Sequence, residues 1–274
     1  MRIRCVDAFT DRPFAGNPAG VVVLTADGFP EEAVMAAVAA EVNLSETAFV
    51  HPLPPGGAAE WALRWFTPTT EVRMCGHATL ATAHVLATAE GVAGTQRFAT
   101  LSGVLTATPA DEDDCLTLDF PTAPLRETPV PGAVADALGA PVLGGHDTGP
   151  DVGDLLVELP DEATVRALRP DLGALAELPG RGVIVTAAAD GSRPGYDFVS
   201  RFFGPAVGVP EDPVTGSAHT ALAPLWARRL GRGELVGRQV SARGGTVRVA
   251  VRGDRTLLTG AAVTVMEGTF LRIP

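Results

Sequence analysis

Two short segments carry the residue types of a ligand-gripping device: Cys75-Gly76-His77-Ala78-Thr79-Leu80-Ala81 and Thr215-Gly216-Ser217-Ala218-His219-Thr220-Ala221. Each sets a glycine and small or polar residues at the mouth of an Ala-rich helix, after a proline-bearing loop, Phe66-Thr67-Pro68 or Phe203-Gly204-Pro205. Glycine lets a ligand approach the backbone closely. The first turn of a helix has unpaired N–H groups with a partial positive charge, so each mouth can hold a carboxylate. Two such mouths facing one cleft would grip a small anionic molecule from both ends.

The group best suited to move a proton is Glu46, in Asn43-Leu44-Ser45-Glu46-Thr47-Ala48-Phe49-Val50. On a strand, Leu44, Glu46, Ala48 and Val50 share one face, so a carboxylate stands among apolar side chains. Such a carboxylate needs partners, and desolvation moves carboxyl groups toward pKa values useful for proton transfer at neutral pH. The pattern leaves open a Glu46 at the strand's end, in water. His77 can bond or protonate a substrate oxygen, or serve only as a hydrogen-bonded residue at a helix start. Asp212, in Glu211-Asp212-Pro213, can bond a substrate polar group or simply stabilise its turn. Ser217 lacks a Gly-x-Ser-x-Gly context, which argues against a hydrolase nucleophile. His77 and His84 share a helical face near Cys75, but no second cluster completes a zinc spacing, so no metal site is expected.

The elements that must position these residues can be read in outline. Strands are expected at Ala19–Leu24, Glu46–His51, Glu60–Phe66, Leu101–Thr108 and Cys115–Phe120, the last two around an acidic turn at Asp111-Glu112-Asp113-Asp114. Helices are expected from Pro30 to about Val42 and from Gly76 to about Thr88. Pro121 to Gly132 contains four prolines and reads as a linker. Residues 1–120 then form an N-terminal lobe, 121–132 the linker and 133–274 a C-terminal lobe, whose last strand, about 262–274, can return to the first.

In the second lobe, helices are expected near Ala133–Leu138 and Glu162–Leu168. Strands are expected near Leu155–Leu159, Gly182–Ala187, Asp197–Phe203, Thr246–Val251, Ala261–Met266 and Thr269–Ile273. Gly231 to Gly237 misses the dinucleotide-binding spacing and reads as a turn. Pro224 should kink or shorten the second helix. Short strands about one long helix, twice over, make this an α+β chain of two similar lobes. At an offset of 140, Gly76/Gly216, Ala78/Ala218, Ala81/Ala221 and Ala83/Ala223 match.

Composition narrows the function. A net charge of −11 disfavours nucleic acid or anionic membrane as a partner. All 21 basic residues are arginine, so the chain cannot form a lysine Schiff base or complete a P-loop. No apolar run reads as a signal peptide or a membrane span. Three widely spaced cysteines fit reduced thiols in a cytoplasmic protein.

Five segments together resemble the phenazine-biosynthesis PhzF-like family: Phe9-Thr10 with Phe14-Ala15-Gly16-Asn17-Pro18-Ala19-Gly20-Val21; Asn43 to Phe49; Arg64-Trp65-Phe66-Thr67-Pro68; Cys75-Gly76-His77-Ala78-Thr79; and Ser200 to Pro205 with Glu211 to His219. The resemblance implies a diaminopimelate epimerase-like fold, two pseudo-symmetric lobes each with a β-barrel-like sheet around a central helix, and the active site between them. It also implies a homodimer needing no metal or organic cofactor, and an isomerase that moves a proton within a small carboxylate-bearing substrate such as a dihydro-hydroxyanthranilate. By position, Glu46 matches the family's essential glutamate, and His77 and Asp212 match polar active-site residues. Ser45, Gly76, Gly216 and Ser217 match substrate-binding groups. The two thiols of the epimerases correspond to Cys75 and Thr215, and a threonine hydroxyl is too weak an acid for two-thiol racemisation. A one-base amino-acid epimerase or racemase, and a non-catalytic small-carboxylate-binding protein, remain as alternatives.

Overall fold

The computed structural model describes residues 1–25, 28–110, 114–192 and 195–273. The chain divides into two compact units, one formed by Met1–Asp119 with the segment from Thr259 onward, the other by Phe120–Leu258. In the first, β1 (Arg2–Ala8) pairs antiparallel with β2 (Asn17–Val23). β2 pairs parallel with β3 (Glu46–Pro52), a connection that needs a crossover and takes it through helix α1 (Glu32–Val42). β3 pairs antiparallel with β4 (Trp61–Phe66), which also carries the short β5 (Glu71–Val72). β4 pairs parallel with β6 (Gln96–Thr100) across helix α2 (Gly76–Ala89), and β7 (Gly103–Pro109) and β8 (Leu116–Pro121) follow antiparallel.

The second unit opens with β9 (Arg126–Glu127) and α3 (Gly132–Leu138), then repeats that order of pairings. β10 (Gly144–Asp147) is antiparallel to β11 (Asp154–Glu158), and β11 is parallel to β12 (Gly182–Ala188) across α4 (Glu162–Ala167) and α5 (Leu172–Ala176). β12 is antiparallel to β13 (Phe198–Gly204), which carries β14 (Val209–Asp212). β13 is parallel to β15 (Glu234–Gln239) across α6 (Gly216–Leu230), and β16 (Gly245–Arg252) follows antiparallel. β17 (Arg255–Gly260) leads to β18 (Ala262–Thr269), which is antiparallel to β1. The α+β class expected from sequence holds, and the duplication is far clearer in strand pairing than in the few matched residues.

Helix α2 is enclosed rather than amphipathic. Every residue from His77 to Ala83 is buried, as are Val85 and Leu86, and the helix lies against β1, β2, β3, β7 and β18. Its alanines permit that close wrapping, while Leu80, Val85 and Leu86 each contribute about 1.5–3 kcal/mol through burial. The buried hydroxyls of Thr79 and Thr82 donate to the carbonyls of Cys75 and Ala78, at 2.6 and 2.7 Å. Among the described residues, no helix is long and apolar enough to cross a membrane.

Several local expectations are corrected. Leu101 is not in a strand: the turn between β6 and β7 passes through it, held by Thr100, whose hydroxyl donates to the Gly103 carbonyl at 2.8 Å and accepts from the Ser102 N–H at 3.0 Å. The residues from Glu234 to Gly237 lie in β15, not a turn; only Gly231, the αL cap of α6, punctuates there. Thr269–Ile273 is not a separate strand, because β18 runs on past Met266, pairing Glu267, Gly268 and Thr269 with Arg4, Ile3 and Arg2. Pro224 does not shorten α6, which continues to Leu230. The Thr220 carbonyl, deprived of its i+4 donor by the proline, accepts instead from the Ala123 N–H at 3.2 Å. In the expected acidic turn, residues 111–113 lie outside the described residues.

Candidate active site

In the first unit the site is assembled from the starts of three elements. Gly16 stands at φ +64°, where a Cβ would lie 2.2 Å from the Ala8 carbonyl oxygen, so glycine alone allows the chain to turn there into β2. Asp7, buried on β1, accepts from the Phe14 N–H at 2.7 Å and fixes the same loop. Asn17 thereby becomes the first, fully buried residue of β2. Glu46 opens β3 opposite Ala19, and Cys75 and His77 stand at the N-cap and second position of α2.

These side chains form a continuous chain of contacts. The Ser45 hydroxyl donates to Asn17 Oδ1 at 3.2 Å, and Asn17 Nδ2 lies 3.1 Å from His77 Nδ1. His77 Nε2 is 3.0 Å from Glu46 Oε2. That oxygen is buried and has no aligned hydrogen-bond donor, so the contact, an ion pair when His77 is protonated, leaves a carboxylate lone pair available. Cys75 Sγ lies 3.6 Å from Nδ1 and 4.0 Å from Nε2 of the same ring. Glu46 is the terminal residue of its strand, yet only 16% of its side chain is exposed, so it does not stand in water.

Burial penalises the His77 imidazolium, but the adjacent Cys75 sulfur and Glu46 carboxylate outweigh that and hold it well above the ordinary histidine value. Cys75 is itself pushed up, by burial first and by Glu46 second. A buried acid–base pair of this kind can take a proton from carbon and pass it on. Glu46, Cys75 and His77 also place three potential metal-ligand atoms within 4.8 Å of one another.

The second unit builds its own constellation at the start of α6. Asp212 ends β14, Thr215 is the N-cap, and Gly216 and Ser217 are the first helical residues. The Thr215 hydroxyl donates to Asp212 Oδ2 at 2.5 Å, so it is spent on holding that carboxylate. Gln239, buried at the end of β15, ties the loop together. Its Oε1 accepts from the Thr215 N–H at 2.9 Å and its Nε2 donates to the Asp212 carbonyl at 2.8 Å. Arg181 Nη2 donates to the Ser217 hydroxyl at 2.9 Å while the guanidinium grips both oxygens of Asp154, at 2.9 and 2.5 Å. Asp154 is so deeply buried that desolvation pushes its carboxyl up even against the lowering effect of Arg181.

Glu46, His77 and Ser45 are thus brought together, with Gly76 between Cys75 and His77, and Asp212, Gly216 and Ser217 gather at the mouth of α6. Sequence reasoning assigned no role to Asn17, Gln239, Arg181 or Asp154. Asn17 alone had a local signal, the Gly-Asn-Pro turn into a strand.

Comparison with known proteins shows the family and the fold. The family model described as phenazine biosynthesis-like protein matches residues 6–268. An uncharacterized isomerase of Pseudomonas aeruginosa is 49% identical over 267 residues, covering 96% of this chain and 95% of the relative. The crystal structure of a PhzF family phenazine biosynthesis protein of Enterococcus faecalis superposes with a TM-score of 0.89 at 42% identity, covering 98% of this chain and 99% of that one. A hydroxyproline epimerase of Agrobacterium vitis shares the fold, with a TM-score of 0.60 at 13% identity over 98% of this chain and 91% of that one.

Proposed function

Because the chain belongs to the phenazine biosynthesis-like family, whose curated relatives include proteins named isomerases, we propose that it moves a proton within a small carboxylate-bearing substrate, using Glu46 as base and then acid. Glu46 removes a proton from one carbon and returns it to another, while His77 and Asp212 stabilise charge on the rearranging π-system. Ser45, Gly76, Gly216 and Ser217 bind the substrate, with helix-mouth N–H groups receiving its carboxylate. No cofactor is required in this scheme, and a cytoplasmic homodimer is the expected working form. The observation that carries the reading is the buried Glu46 oxygen, 3.0 Å from His77 yet without an aligned donor.

Proton NMR in deuterated buffer, with a panel of small unsaturated carboxylic and amino acids, tests it. Wild type should shift a double bond or exchange a carbon-bound proton in one member of the panel, and Glu46→Gln should slow that by about 10²–10⁴-fold. An unimpaired Glu46→Gln would refute the role. Exchange confined to Cα with inversion would identify a one-base epimerase. Binding without any exchange, unaltered by Glu46→Gln, would identify a non-catalytic carboxylate-binding protein.

A further inference from the structure

The atoms around Asn17 decide where His77 carries its proton. Asn17 is fully buried at the start of β2. Its Nδ2, which only donates, lies 3.1 Å from His77 Nδ1, and its Oδ1 accepts from the Ser45 hydroxyl at 3.2 Å. A donor opposite Nδ1 requires that nitrogen to present its lone pair, so the proton of a neutral ring sits on Nε2. Nε2 is the nitrogen 3.0 Å from Glu46 Oε2, on the side where the chemistry is proposed.

Two other neighbours of the ring leave that assignment to Asn17. Cys75 Sγ is nearly equidistant from the ring nitrogens, at 3.6 and 4.0 Å, so it lies beside the ring and not on the in-plane lone pair of either. Glu46 Oε2 has no aligned donor among the described residues, so Glu46 alone does not hold the Nε2 proton. These two titratable groups, one at the cap of α2 and one on β3, do raise the ring's affinity for a second proton. That proton must go onto Nδ1, where it would meet the Asn17 N–H. The amide then has to turn over, offering Oδ1 to the ring and Nδ2 to the Ser45 hydroxyl, which accepts as well as donates. In both charge states Nε2 keeps its proton.

We propose that Asn17 is a positioning residue that sets the tautomer of His77: the ring's second proton comes and goes at Nδ1, and a permanent N–H at Nε2 faces the reacting groups. Nε2–H then donates to the substrate atom that gains charge as Glu46 takes the carbon proton, and the ring neither gains nor loses a proton in that step. This catalytic consequence rests on the proton-transfer role proposed above; the tautomer does not.

Two-bond proton–nitrogen correlation spectra of the protein labelled at its five histidines read the tautomer without substrate, with His77→Gln identifying the resonance. In wild type, which depends on no variant, raising the pH should remove the Nδ1 proton and leave Nε2–H. Loss of the Nε2 proton instead, or no loss before the chain unfolds, overturns the assignment. Asn17→Asp, of the same size but only an accepting group at the ring, should hold the second proton roughly 10–1,000-fold more tightly. Asn17→Leu, which expresses no preference at Nδ1, should show both neutral tautomers. An unshifted Asn17→Asp titration, or Nε2–H alone in Asn17→Leu, would mean that Asn17 does not choose. In the isotope-exchange assay, wild-type kcat should change by less than about tenfold across the pH at which the spectra show Nδ1 losing its proton, against the roughly 10²–10³-fold loss expected where a charge-stabilising donor disappears. A loss of that larger size refutes the catalytic consequence. A failure of every substrate to exchange refutes the proton-transfer reading and leaves the tautomer result standing.

Discussion

Lowering the pH from 7 to 4 should destabilise the second unit through His219, and its surroundings set the size of the effect. The ring is fully buried near Phe198, at 6.1 Å between centroids, with Nδ1 2.8 Å from the Thr215 carbonyl oxygen. Nδ1 therefore carries the proton and donates it. Nε2 is buried and, among the described residues, has no hydrogen-bond partner. A second proton there would place a charge in apolar surroundings, so burial drives the imidazole down to about 4. An unfolded histidine titrates near 6.5. Below that pH the unfolded chain holds a proton that the native ring refuses, so stability falls from about pH 6.5 to about pH 4 and levels off beneath. A gap of about 2.5 pH units at about 1.36 kcal/mol each gives about 3 kcal/mol. Urea unfolding across this range should be run on wild type and His219→Gln, whose amide can still donate to Thr215 but does not titrate. The two stability curves should diverge by about 3 kcal/mol, wild type being the more acid-sensitive, and the His219 Hε1 resonance should titrate near pH 4. Parallel curves, or a midpoint near 6.5, would refute the argument.

Two other changes probe the second unit. Arg181→Met strands the buried Asp154 carboxylate and should cost about 3–5 kcal/mol in urea unfolding, most of it recovered on adding Asp154→Asn; equal losses in the single and double variants would contradict this. Gln239→Leu leaves the buried Thr215 N–H without its acceptor, at about 1–3 kcal/mol, and removes a donor to the Asp212 carbonyl, so its melting temperature should fall, whereas an unchanged one would mean the loop stands without it.

The starts of α2 and α6 were legible because glycine, small residues and a preceding proline loop are local signals. The strands that went unseen hide their reasons at a distance. β1 reads Arg-Ile-Arg-Cys-Val-Asp-Ala, and its buried Arg4 is tolerable only because Glu90 and Glu267 meet it from far along the chain. β15 looked like a glycine-rich turn, yet Gly237 is there because a Cβ would come within 2.5 Å of the Phe198 ring. The same limit applies to the site. Glu46 and His77 announce themselves by residue type, whereas Asn17 matters only because folding sets it beside a ring 60 positions away.

Pro224 illustrates how a defect in one rung acquires a use. A helix that has lost an internal N–H has a carbonyl to spare, and Ala123 fastens onto it. The peptide entering the second unit is thereby latched to the rod whose tip bears Gly216 and Ser217. Loosening that latch by replacing Ala123 with proline, which has no N–H to give, would leave the Thr220 carbonyl without this donor.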